Sequence, residues 1–179
     1  MTRIAVIADP HVHDCDWSPR DSGLGRAIRT WADTAASTRI FNESLPAFHA
    51  ALQRAVNDGA RLTLLVGDLT DDGQAPHLRA ALQLIQSFRD RHGLRVLATP
   101  GNHDLFALTG RPQAKNFIGA GGESVALSSA TCPEAATLGT QDALSRMQGL
   151  GYWPDPADLH WETPFGPDPD WDARSYVAR

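Results

Sequence analysis

The sequence predicts an α/β fold built on a parallel sheet, and three observations carry that expectation. Short apolar, β-branched runs recur at residues 4–8, 62–66 and 95–98. Amphipathic segments of helical period separate them. Each run stops at Pro or Gly beside a group of polar residues: Asp9-Pro10, Gly67 and Pro100-Gly101. Near-continuous apolar strands joined by helices read as parallel, with right-handed crossovers.

The first run, Ile4-Ala5-Val6-Ile7-Ala8, is bounded by Asp9-Pro10 and reads as a buried strand. Residues 12–40 then form a long insertion. It carries Trp17, Arg20, Arg26, Arg29, Trp31 and Arg39 among Asp14, Asp16, Asp21 and Asp33. Two readings stay open: a cap whose arginine forks recognise phosphate, or a solvated loop with Trp17 and Trp31 packed on the body. A helix follows, with Leu45, Phe48, Leu52 and Val56 on one face. Asn42 or Ser44 would cap it, Pro46 sits in its first turn and Gly59 ends it. After the second run comes a helix over 76–92, with Leu78, Leu82, Ile85 and Phe88 as its apolar face and Gly93 as its stop. From Leu105 onward the chain reads as loop, apart from a helix over 141–150 capped by Thr140. Pro154, Pro156, Pro164, Pro167 and Pro169 crowd the end. So long a loop fits poorly in a compact domain, so the elements it packs against are expected to lie outside this chain.

Composition narrows the function. The chain has 179 residues, 42% of them hydrophobic and 21% charged, as in one soluble globular domain. Its net charge of -5 supplies no broad positive field, which argues against general nucleic-acid or membrane-surface binding. A small phosphorylated substrate stays compatible, because a bound metal provides local positive charge. Cys15 and Cys132 read as free thiols in a reducing compartment. The N-terminal apolar run is too short for a signal peptide, and no stretch is long enough to span a bilayer. The expected location is cytoplasmic.

The chemistry lies at the ends of the three strands, where active sites of parallel sheets gather. The blocks are Asp9-Pro10-His11, Gly67-Asp68 and Gly101-Asn102-His103-Asp104. Asp9 and His11 can converge on one ion. Asp68 follows a glycine that permits close approach, and its carboxylate can bridge two ions. Asn102 offers an amide oxygen, and Asp104 could orient the His103 imidazole. Mixed Asp, His and Asn donors suit manganese, iron or zinc. Two such ions about 3.5–4 Å apart form a clamp for phosphoryl transfer.

These blocks resemble the calcineurin-like metallophosphoesterase superfamily, whose pattern is Asp-x-His, Gly-Asp and Gly-Asn-His-Asp/Glu, then a later His and Gly-His-x-His. The surrounding text, including Phe41-Asn42-Glu43, residues 67–74 and residues 161–165, resembles a bacterial branch of predicted phosphohydrolases. The resemblance implies an αββα sandwich, represented here mainly by its N-terminal βαβαβ half with a long irregular C-terminal segment. It implies hydrolysis of phosphate mono- or diesters by a dinuclear centre with a bridging hydroxide nucleophile. Asp9 and His11 would bind the first metal, Asp68 would bridge, and Asn102 would bind the second. His103, with Asp104, would act on the substrate or leaving group.

The pattern is matched only in its first three blocks. After His103 the next histidine is His160, and no Gly-His-x-His follows. The expected organisation is one incomplete domain over 1–179, with a core over 1–104 and a loop-rich part over 105–179. An unpaired sheet face would then favour self-association. A non-catalytic metal-binding fragment is the alternative, as is an amidohydrolase-type hydrolase using His11-x-His13, which leaves the second and third blocks unexplained. His13 otherwise reads as a substrate-side or solvated loop residue, and Asp71 and Asp72 as a solvated turn. His49 reads as structural, and His77 and His92 as helix-start and helix-end residues.

Overall fold

A computed structural model describes residues 2–20 and 22–153. Three parallel strands, β1 (Arg3–Ala8), β2 (Ala60–Val66) and β3 (Arg95–Thr99), lie in the order β1-β2-β3. A short helix α1 (Trp31–Thr34) sits in the insertion, helix α2 (Ser44–Asn57) links β1 to β2, and helix α3 (Ala75–His92) links β2 to β3. The expected βαβαβ half is therefore present, with each strand lengthened by a residue or two.

The register pairs Ile7 with Leu65 and Leu65 with Ala98, which face the helices. Their core is Phe48 and Leu52 from α2, Leu78, Ala81, Ile85 and Phe88 from α3, and Leu65, Val96 and Ala98 from the sheet. Truncating a buried Phe such as Phe88 would cost about 3–5 kcal/mol. The alternate row, Ile4, Val6 and Val66, points the other way and is exposed at 55%, 64% and 45%. Side chains of a strand alternate between faces, so a sheet covered on one side leaves such a row in water.

Helix α3 ends as anticipated, with Gly93 in the left-handed conformation (φ 63°). The start of α2 differs. Its N-cap is Glu43, with no side-chain capping bond. Ser44 Oγ instead donates to the Phe41 carbonyl and accepts from the His13 N–H. Asn42 accepts from the Arg29 N–H, tying the insertion down.

The reading of residues beyond 105 as loop is corrected by a β-hairpin, β4 (Ala114–Ile118) with β5 (Ser124–Ser128). Its turn contains Gly119, Gly121 and Gly122. It encloses a second core with the insertion: Trp17, Leu24, Ala27, Phe117, Leu127 and Ala135. The hairpin escaped detection because Lys115 and Asn116 interrupt the apolar pattern while being held by tertiary partners. A 3-10 turn, Pro133–Ala135, leads to helix α4 (Thr140–Arg146), shorter than expected. Thr140 is its first residue rather than its cap, and its hydroxyl donates to the Ala107 carbonyl. Trp17 is packed inside, whereas Trp31 is 81% exposed. Both cysteines are free thiols. Among the described residues, no helix is long and apolar enough to cross a membrane. The proline-rich stretch at 154–169, His160 and the block at 161–165 lie outside the described residues.

Candidate metal centre

The hydrogen-bond ladder between β1 and β2 continues past the strand ends. Asp9 N donates to Val66 O, His11 N to Asp68 O and Val12 N to Leu69 O, at 3.1, 3.0 and 2.8 Å. This zips the first block against the second. Asp9 (φ 48°) and His11 (φ 44°) both adopt the left-handed conformation, which costs about 1–3 kcal/mol per non-glycine residue. The surrounding ladder holds them there, and their side chains turn toward Asp68.

Ligand atoms of Asp9, His11 and Asp68 all lie within 4.8 Å of one another. His11 Nε2 is 3.7 Å from Asp68 Oδ2. The other carboxylate oxygen, Oδ1, accepts from the His103 backbone N–H at 2.7 Å. Asp68 therefore stands between the first block and the turn that carries Asn102 and His103. A Cβ at Gly101 would overlap the Asp68 carboxylate and backbone nitrogen, and one at Gly67 would overlap the Asp9 carboxylate. The glycines create the room in which three anionic or imidazole donors converge. Two carboxylates and an imidazole, with Asp9 exposed, His11 partly buried and Asp68 buried, fit a divalent cation of the manganese, iron or zinc type. Among the described residues, no other trio of His, Cys, Asp or Glu converges in this way. Asn102 lies exposed in the turn next to His103.

The His103 ring meets the His11 ring edge-on, with centroids 5.0 Å apart. Its Nδ1 is 2.5 Å from the Asp71 carbonyl and 3.3 Å from Asp72 Oδ1. Both are acceptors, so Nδ1 carries the proton and Nε2 is left without a protein partner among the described residues. The expectation that Asp104 orients this imidazole is replaced by these contacts. Asp104 is buried and accepts from Leu69 N, Thr70 N, Thr70 Oγ1 and Gly101 N. It clamps the second block to the third. Burial raises its carboxyl above the ordinary range, against the pull of those backbone donors.

Asp71 corrects the reading of a solvated turn. It is fully buried, and its carboxylate meets Arg29 at 3.1 Å, Arg39 at 2.9 Å and Lys115 at 2.9 Å. Burial alone would raise this carboxyl; Lys115, then Arg39 and Arg29, outweigh it and hold it below the usual value. Lys115 also pairs with Asp72. Sequence pattern does not reveal this knot, because its members come from the insertion, the β2–α3 loop and β4.

His13 is likewise corrected, from a substrate-side or solvated position to a fully buried one. Its Nε2 donates to Ala27 O at 2.7 Å, and its ring packs on His77 at 4.3 Å. It does not join His11, which removes the His11-x-His13 metal pair. His77, the third residue of α3, is also fully buried, and its Nδ1 accepts from the Asp14 N–H. His49 packs edge-on against Phe88, and His92 lies beside the same ring in the last turn of α3.

A model of the calcineurin-like phosphoesterase family matches residues 2–162. No curated protein matches the chain. The match spans all three blocks and most of the sequence, and the chain belongs to the calcineurin-like phosphoesterase family.

Proposed function

We propose that this protein hydrolyses small phosphate mono- or diesters in the cytoplasm, using two divalent ions. The observation that supports this reading is the convergence of Asp9, His11 and Asp68, with His103 at its edge. Asp9 and His11 would hold the first ion, Asp68 would be shared, and Asn102 would serve the second. Such ions, when bound, lower the pKa of water and neutralise charge on the phosphoryl oxygens.

The chain's own groups do the rest. Asp68 is kept in place by the His103 backbone N–H, so its position depends on the Gly101 turn. His103 is held by the Asp71 carbonyl through Nδ1, which leaves Nε2 to hold or deliver a proton to the departing alcohol. Asp104 keeps both loops together by accepting from Leu69, Thr70 and Gly101.

The test uses the full chain loaded with manganese, iron or zinc and a series of aryl phosphates. Asp68→Asn should reduce turnover on the order of a thousandfold, because a shared ligand serves both ions. His103→Ala should slow esters of poor leaving groups more than esters of good ones, by roughly a hundredfold at the poor end. Unchanged turnover in Asp68→Asn sinks the metal mechanism. Equal losses across the leaving-group series would remove His103 as the acid.

A further inference from the structure

We propose that Arg39, contributed by the long insertion, binds the phosphate group of the substrate beside the Asp9–His11–Asp68 cluster. The inference rests on the phosphoesterase reading and names the residue that would select an oxyanion there.

Position comes first. Arg39 Nη1 lies 3.5 Å from His11 Nδ1 and 3.1 Å from His103 Nδ1, so the guanidinium borders both rings of the site. His103 Nδ1 donates to the Asp71 carbonyl, so Arg39 approaches it as a neighbouring cation and not as a bonded donor.

The second point is a difference among the three cations around Asp71. The side chains of Arg29 and Lys115 are 8% and 6% exposed, whereas that of Arg39 is 29% exposed. Arg29 and Lys115 are enclosed and neutralise a buried carboxylate. Arg39 shares that task through Nη1 while its side chain stays partly open to solvent. Its Nη2 has no partner among the described residues.

The third point is preorganisation. The Phe41 ring stacks under the guanidinium, with Cζ 5.1 Å from the ring centroid, and Ser37 Oγ lies 3.5 Å from Nε. Asp71 fixes the other edge. A guanidinium held on three sides loses little freedom when an anion arrives, and its planar donors match two phosphate oxygens. The surroundings also need such a group, because Asp9 and Asp68 repel a phosphate and the chain as a whole is acidic.

The test compares wild type, Arg39→Gln and Arg39→Lys in the full chain. Inorganic phosphate binding is measured by calorimetry, alongside metal content, melting temperature, and kcat and KM on an aryl phosphate. Arg39→Gln should weaken inorganic phosphate binding about 10- to 100-fold and raise KM by a similar factor, with metal content kept. Arg39→Lys should recover part of the loss, since it keeps the charge and not the fork. Unchanged phosphate affinity in a folded Arg39→Gln overturns the proposal, and so does unfolding of both variants, which would assign Arg39 to the fold. A wild type that holds metal but neither binds nor hydrolyses phosphate esters overturns the phosphoesterase reading itself.

Discussion

Two histidine pairs begin two residues apart, at His11 and His13, and behave in opposite ways. His11 and His103 meet edge-on at the open end of the sheet, 5.0 Å apart. His13 and His77 pack 4.3 Å apart under the β4–β5 hairpin, both fully buried. His11 and His13 are separated by one residue, Val12, and each follows the same strand. Their fates are decided by what covers them. His11 turns back toward carboxylates and solvent through a left-handed backbone. His13 is drawn under Phe117 and spends its one ring proton on the Ala27 carbonyl. Identical side chains thus stand in one case among candidate metal donors and in the other as packing. A histidine-rich motif says little until the solvent side is known.

The largest expected separation comes from replacing each histidine in turn. His11→Ala should lower phosphate ester turnover on the order of a thousandfold and leave the melting temperature nearly unchanged. His13→Ala should instead destabilise the fold by about 2–4 kcal/mol, read by urea titration, while the folded fraction keeps its metal. Loss of metal without loss of stability in His13→Ala would break the distinction and restore the His11-x-His13 pair.

Acid provides a second contrast. Burial lowers the His13 pKa from 6.5 to about 4, and burial, with His13 nearby, lowers that of His77 well below the ordinary imidazole value. Both rings are neutral in the folded state at pH 7. Between pH 6.5 and about 4 the unfolded chain binds more protons than the folded one, so stability falls as pH drops. His13 alone should make the protein about 2 kcal/mol less stable at pH 5 than at pH 7. His77→Asn, whose amide oxygen can accept the Asp14 bond, should flatten part of this acid limb. An identical pH dependence in that variant would show that the buried pair does not control it.

The smallest effect concerns the sheet face away from the helices. We infer that the exposed row of Ile4, Val6 and Val66 promotes weak self-association, since contiguous apolar surface favours contact. Sedimentation should show concentration-dependent mass, reduced by Val6→Lys. A monomer at all concentrations would remove the inference and leave the open face as a solvated surface.

Much of the sheet was legible because its signals are local. Period and punctuation place α3, its glycine stop and the three strands. Asp9, His11 and Asp68 could be grouped because each follows a strand of one parallel sheet, and strand ends of such sheets share one side. The hairpin was missed because its polar residues, Lys115 and Asn116, are satisfied by Asp71 and Asp33, both distant in sequence. Asp71 and Asp104 look like turn residues by composition. Their burial depends on donors from separate elements.

What the sequence determined alone is therefore the βαβαβ order of the parallel sheet and its two crossover helices, and the grouping of Asp9, His11 and Asp68 at the strand ends. These follow from backbone preferences and side-chain periodicity, which act over a few residues. Which polar groups face water and which are sealed was decided by tertiary structure. The burial of His13, the neutralisation of Asp71 and the placement of Arg39 at the mouth each require partners some 30 to 60 residues away. Desolvation makes those outcomes all-or-none, because a polar group enclosed without its partner costs far more than one left in solvent.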